Sequence, residues 1–369
     1  MSPKRYQETC IVNERDFAFL TRLLDSPGPS GFEEVPSRVW REEAETFADE
    51  VTHDVRGNSY ARLRPAGGAE DAPRVLLVGH IDEIGFQIIG IDKDGFLWFD
   101  PIGSWDHEVI VGQRVRIRGS NGDVLGVIGK KAAHLLTAED REKPTKLKDM
   151  WIDIGAADRE AAQLRVEVGD PVVIDANLVQ LTDDLYASRS MDNRIGAFVA
   201  LAALRKVAEK RPEVDVYAVA STTEETDFGG ASVAAYHLPA LAVIAIDLTH
   251  ATDHPEGDKK REVEVKMGEG AVLARGTTLN EKVVRGLQDA ARRLGLNPPV
   301  QGTASATWTD ADPMVKAASG TATGLVSIPG RYMHSPNETV SMADVEQAAA
   351  IIAEFVSSIT PGSDFRPGS

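Results

Sequence analysis

An unbroken aliphatic run, Val75-Leu76-Leu77-Val78-Gly79, ends abruptly in His80-Ile81-Asp82. A run of this length reads as a buried strand. In open α/β sheets chemistry gathers at the carboxyl ends of strands, so a histidine delivered there is placed for work. Val214 to Ser221 and Ala240 to Ile246 repeat the texture as further buried strands. Apolar spacing predicts helices over Asn193 to Lys210, Glu281 to Leu294 and Met342 to Ile359, the last with Ser341 as its N-cap. Strands alternating with helices imply a mixed α/β sheet. Ahead of the first strand, helical signals cover residues 14–25 and 32–48. Val51 to Leu63 reads as a hairpin-like pair interrupted at Arg56-Gly57-Asn58.

The α/β texture stops at about residue 86 and resumes at about 176. Between them lie five short β-like runs, at 86–91, 96–99, 109–117, 124–128 and 150–154, parted by turns such as Gly119-Ser120-Asn121-Gly122. This spacing predicts a small β-barrel or sandwich. The chain therefore divides into a discontinuous α/β domain, 1–85 and 176–369, and a β-rich insert, 86–175. The insert departs just past His80-Ile81-Asp82, where it can wall a site or build an oligomer contact. His134, in a longer connection of the insert, is expected to be structural, and Pro361 to Ser369 to be a disordered tail.

Composition narrows the partners. A formal net charge of -17 over 369 residues argues against nucleic acid and anionic membrane. Cys10 is the only cysteine and reads as an incidental thiol, so disulfides within the chain and cysteine-based zinc sites are excluded. Any metal site must draw on the eight His and 57 Asp plus Glu residues. The first residues lack the apolar core of a signal peptide. Nothing approaches the roughly 18 consecutive apolar residues of a membrane span. The expected location is the cytoplasm.

Four more places resemble the end of the first strand. Asp192 sits where an N-cap for the long helix would lie, and taken alone it is a cap. The strand 214–221 runs into Glu224-Glu225, which in a solvated loop need no explanation. If functional, the two point different ways, one to bind metal and the other to handle protons. Asp247 follows the strand 240–246, where a lone Asp is otherwise a turn residue. His334 follows the aliphatic residues of Ser327-Ile328-Pro329-Gly330. Together His80, Asp192, Glu225, Asp247 and His334 suit two divalent ions such as zinc, cobalt or manganese, one carboxylate bridging. Metals paired about 3.5–4 Å apart polarise a carbonyl and generate a hydroxide nucleophile. Glu224 would take the water's proton and pass it to the leaving group.

The segments His-Ile-Asp-Glu-Ile-Gly-Phe from His80, Asp-Asn-Arg-Ile-Gly from Asp192, Thr-Glu-Glu from Thr223, Ile-Asp-Leu-Thr-His from Ile246 and Arg-Tyr-Met-His-Ser-Pro from Arg331 resemble the signatures of the M42 family of metalloaminopeptidases. These are the tetrahedral, TET-type enzymes, some of which carry endoglucanase labels. The resemblance covers nearly the whole chain. It implies a mixed-sheet, zinc-peptidase-like catalytic domain with an inserted, barrel-like dimerisation domain. It implies His80, Asp192 and Asp247 at one metal and Asp192, Glu225 and His334 at the other, zinc first, with cobalt or manganese as alternatives. Glu224 is then the general base and Asp82 the carboxylate behind the site. Peptides are the implied substrates, and dimers assembling into dodecamers the implied state. The chain departs from the family pattern at Thr226-Asp227, at Ser104-Trp105 and at Thr307-Trp308, where a glycine pair is usual. Trp308 either reshapes the substrate pocket or simply packs.

Three rival readings stand beside this one. A carboxypeptidase or deacylase of the related M20 type carries its extra domain after the Glu-Glu motif, whereas this insert precedes Asp192. A glycosidase would use Glu224 and Glu225 as its two acids, but adjacent residues are poorly placed to flank a glycosidic bond. A metal-stabilised, non-catalytic assembly is the third.

Overall fold

A computed structural model describes residues 14–69, 71–255, 257, 263–317 and 320–368; Cys10 lies outside the described residues. Helices α1 (Glu14–Asp25) and α2 (Glu34–Ala44) precede an antiparallel pair, β1 (Glu50–His53) and β2 (Ser59–Leu63). The aliphatic run becomes β3 (Arg74–His80), with His80 as its last residue. Six strands then close a barrel: β4 (Gly85–Ile91), β5 (Leu97–Ile102), β6 (Arg114–Gly119), β7 (Gly122–Lys130), β8 (Met150–Asp153) and β9 (Pro171–Ile174). The chain returns to the first sheet through β10 (Val179–Gln180), β11 (Leu185–Ser188), β12 (Asp215–Ser221) and β13 (Ala242–His250). It ends with β14 (Val272–Gly276), β15 (Val300–Thr303), β16 (Ala322–Arg331) and β17 (Glu338–Ser341).

The large mixed sheet has the order β1-β2-β12-β3-β13-β16-β17-β11-β10, with β14 between β16 and β15. Its centre, β12-β3-β13-β16, is parallel. Parallel strands covered on both faces are apolar throughout, and Val75 to Val78 are fully buried. The cover on one face is α3 (Met191–Ala208), α4 (Glu281–Arg293) and α5 (Met342–Ser357). Helix α3 is buried almost all round, as its wide apolar face requires. It lies very close to β3, because the contact is made through glycine. A Cβ on Gly79 would collide with the backbone of Gly196 and Ala197, and a Cβ on Gly196 with the Ile246 carbonyl. The barrel has its own core around Phe86, Phe99, Ile117, Ile128 and Val172. Among the described residues, no helix is long and apolar enough to cross a membrane.

Several expectations need correction. The barrel has a sixth strand, β9, which closes it by pairing with both β4 and β6. The run expected as a strand from Val109 starts with a short helix, His107–Ile110, capped by Asp106, and pairing begins only at Arg114. Strand β13 does not stop at Ile246 but stays paired with β16 through His250, so Asp247 lies within a strand. His134 is exposed in a short 3-10 turn. The tail is docked: Asn280 and Lys282 donate to the carbonyls of Phe365 and Asp364, and Phe365 packs against Phe355. The Ser341 cap is as expected, its hydroxyl accepting from the N–H of Asp344.

Candidate active site

The carboxyl ends of the parallel strands supply the site. His80 closes β3. After β12 the chain turns through Thr223, in the left-handed region at φ 56°, into a short helix, Glu224–Asp227. Asp247 projects from β13. Beyond β16, Tyr332 and His334 take φ of 62° and 59°, which folds His334 back over the sheet. The expected cap role of Asp192 belongs to its neighbour. Asn193 Oδ1 accepts from the Gly196 N–H at 3.0 Å, and its Nδ2 donates to the Ile246 carbonyl at 2.8 Å. Asp192 itself has non-helical backbone angles, and its carboxylate is free to face the histidines.

His80, Asp192, Glu224, Glu225, Asp247 and His334 all line one cavity of about 670 Å³. Asp192 stands between the imidazoles, its Oδ1 3.3 Å from His80 Nε2 and its Oδ2 3.6 Å from His334 Nε2. Glu225 Oε2 lies 3.4 Å from His334 Nε2. Glu224 Oε2 and Asp247 Oδ1 lie 3.7 and 4.0 Å from His80 Nε2. The adjacent glutamates thus face different histidines. Asp82 is fully buried behind the cavity, its Oδ1 3.4 Å from His80 Nδ1. Its carboxylate also accepts from Ser30 Oγ and from the backbone N–H groups of Glu224 and Glu225.

Burial disfavours charge on His80, but the Glu224, Asp192 and Asp82 carboxylates outweigh it and hold the ring's pKa well above its ordinary value. The carboxylates are too many for two imidazoles to balance. Burial, then Asp247, Asp310 and Glu225, push Glu224 up to about 11 against the pull of His80. Burial and Asp192 raise Glu225 and Asp247 as well. Glu225 Oε1 is buried with no hydrogen-bond partner among the described residues. Donor atoms of His80, Asp192 and Glu225, and of His80, Glu224 and Asp247, converge within 4.8 Å of one another in each set. Imidazole and carboxylate donors, surplus negative charge and a partnerless oxygen fit divalent cations.

Sequence reasoning missed Glu338. This fully buried carboxylate accepts from the backbone N–H of Asp192 at 2.9 Å and of His334 at 2.8 Å, tying the two segments together. Nothing in its local sequence marks it except its place four residues after His334. Glu83, paired with Arg189 and Arg194 at 3.0 and 2.8 Å, and Asp310, bonded to Ser221 Oγ, are further buried supports. Two of the unusual positions also find explanations. Asp227 pairs with Arg56 at 3.0 Å. Trp308, at φ 57°, is 77% exposed at the cavity rim, so it does not pack within the chain. Asp312 accepts from its N–H and holds the turn.

The lysyl aminopeptidase of Pyrococcus furiosus is 30% identical over 355 residues, covering 95% of this chain and 99% of that protein. Among solved structures, a TET aminopeptidase from the marine sediment archaeon Thaumarchaeota archaeon SCGC AB-539-E09 superposes with a TM-score of 0.88 at 30% identity, over 94% of this chain and 98% of that one. The Pyrococcus horikoshii TET1 peptidase, described as assembling into a tetrahedron or a large octahedral shell, gives 0.83 at 26% identity, over 93% and 100% of the two chains. Fold and relatives together define the class as aminopeptidases, hydrolases acting on peptide bonds. The family model for M42 glutamyl aminopeptidase matches residues 57–351, and the chain belongs to the M42 family, whose members are metal-dependent. Similarity to aminopeptidases over almost the full length favours this reading over the carboxypeptidase, glycosidase and non-catalytic ones.

Proposed function

We propose that the protein removes N-terminal residues from peptides at a paired divalent-metal site, with Glu224 as general base. The observation that carries this is Asp192, which turns one carboxylate oxygen to each of the two cavity histidines. His80 and Asp247 would share one ion with Asp192, and Glu225 and His334 the other. Zinc is the first candidate, with cobalt and manganese as alternatives. When bound, the ions supply the Lewis acidity that polarises a carbonyl and acidifies water.

The residues themselves do the rest. Among the described residues His80 is the one donor near the Glu224 carboxylate; cations bound beside it would offset the carboxylates that raise its pKa, leaving it ionised to accept a proton from water and return it to the departing amine. Asp82 and Glu338 orient the groups in front of them. The carboxylate-rich floor suits the substrate's α-ammonium. By analogy with the shell-forming peptidases it resembles, we assign the chain to a homo-oligomer, dimers formed through the 86–175 barrel and assembling to a dodecamer, in the cytoplasm.

Stripping metal with EDTA and assaying aminoacyl p-nitroanilides tests the metal requirement. Activity should vanish and return on adding zinc, cobalt or manganese; full activity in stripped protein overturns the proposal. Glu224→Gln should lower kcat by about 10²-fold or more with both metals retained. Loss of one metal instead would make Glu224 a ligand rather than the base.

A further inference from the structure

Beside Asp247 the sheet presents one continuous face. Alternate residues of a strand share a face, and so do cross-strand partners. Asp247 of β13 pairs with Ser327 of β16, which pairs in turn with Val272 of β14. Two residues from that row the same face carries Thr249 of β13 on one side, and Leu325 of β16 with Ala274 of β14 on the other. Ala274 pairs with Gln301 of β15. Thr249, Ala274, Gln301, Leu325 and Ser327 all line the cavity that holds the histidines and carboxylates.

This wall is neutral. Ala274 and Leu325 pack with Ala245 in a small apolar cluster. Thr249 Oγ1 donates to Gln301 Oε1 at 3.0 Å, and the amide's nitrogen has no partner among the described residues. Among the described lining residues, Asp192, Glu224, Glu225 and Asp247 are the only Asp or Glu, and there is no Lys or Arg. A charged side chain lying against these five residues would give up water for neutral partners, since the cavity's carboxylates, Asp247 among them, are the groups the cations and the α-amine would engage.

We infer that this wall receives the side chain of the substrate's first residue and selects uncharged residues over basic and acidic ones. The inference rests on the aminopeptidase reading. With the scissile carbonyl at the paired histidines and the α-amine among the carboxylates, the first side chain is the group left to lie beside Asp247. Aliphatic residues match Ala274 and Leu325; hydroxyl and amide residues match Ser327 and Gln301.

The test is kcat/KM of the metal-loaded enzyme on leucyl, alanyl, threonyl, glutaminyl, lysyl, arginyl and glutamyl p-nitroanilides, for wild type and Gln301→Glu. Uncharged residues should lead charged ones by about 10-fold or more in wild type. Gln301→Glu should raise the lysyl-to-leucyl ratio about 10-fold by supplying a counter-charge. A wild-type preference for lysyl, arginyl or glutamyl substrates overturns the inference and leaves the aminopeptidase reading intact. So does an unchanged ratio in a folded, metal-binding Gln301→Glu protein. If that variant does not fold, the wild-type series decides alone. Hydrolysis of none of the seven by metal-loaded protein overturns the aminopeptidase reading itself.

Discussion

Replacing Asp82 by Asn should loosen the site from behind. The Asp82 carboxylate serves Ser30 Oγ, the Glu224 and Glu225 N–H groups at 3.2 Å each, and His80 Nδ1 at 3.4 Å. Asparagine keeps one acceptor oxygen and turns the other into a donor. The Ser30 hydroxyl can rotate to accept from the new NH2 group, but the Glu225 N–H, which bonds to the same oxygen as Ser30, cannot. One buried N–H without a partner costs about 1–3 kcal/mol. The negative charge behind His80 is lost as well. On the ligation proposed for His80, removing this outer partner should lower metal affinity by about 10–100-fold. Chelator-competition titration of the metal, with calorimetry of the stripped protein, measures both effects. The variant should bind metal more weakly and melt lower. Wild-type affinity together with wild-type melting would refute the reasoning, since Asp82 would then hold neither the ring nor the Glu224-Glu225 turn.

Gly79→Ala drives a methyl into the Gly196 and Ala197 backbone and should cost about 1–3 kcal/mol by overpacking; denaturant unfolding beside wild type measures it, and equal midpoints count against close strand–helix contact as a requirement. Asp344, which accepts from the N–H groups of Gly268 and Gly270, is raised to about 7 by burial. Its folded pKa exceeds the unfolded value, so the folded state binds the extra proton, and stability falls as pH rises from about 4 to about 7. The stability difference between wild type and Asp344→Asn should shift against wild type across that window and stay flat above it. A difference independent of pH would reject the assignment.

Much of this architecture is written in local pattern, and the failures have local causes. Val75 to Val78 and the long helix after Asn193 announce themselves because full burial demands unbroken apolar sequence. The polar residues at the ends of these elements were readable as a set even where each, alone, had a plainer role. Asp192 and Asn193 show the limit: both are good caps, and only the close approach of α3 to β3 decides which one caps and which faces His80. Strand β9 is four residues long and lies just ahead of residue 176, where the α/β texture resumes; its membership of the barrel depends on partners more than 50 positions away in β6. Asp247 looked terminal because polarity resembles an ending, whereas β16 keeps pairing past it. Glu338 was invisible for a different reason. Its job is to accept two backbone N–H groups, and backbone groups carry no sequence signature.

The barrel leaves the main sheet through β4 and comes back through β9, and these two strands pair with each other at Phe86 and Val172. Departure and return are therefore side by side, like the neck of a flask. Lengthening or trimming a turn whose contacts stay within the barrel, such as the one between β4 and β5, should leave the distance between His80 and Asp192 unchanged. The insert is thus free to vary in size and surface while the chemistry stays put. Ser104, which reaches the cavity from the loop after β5, marks where that independence ends.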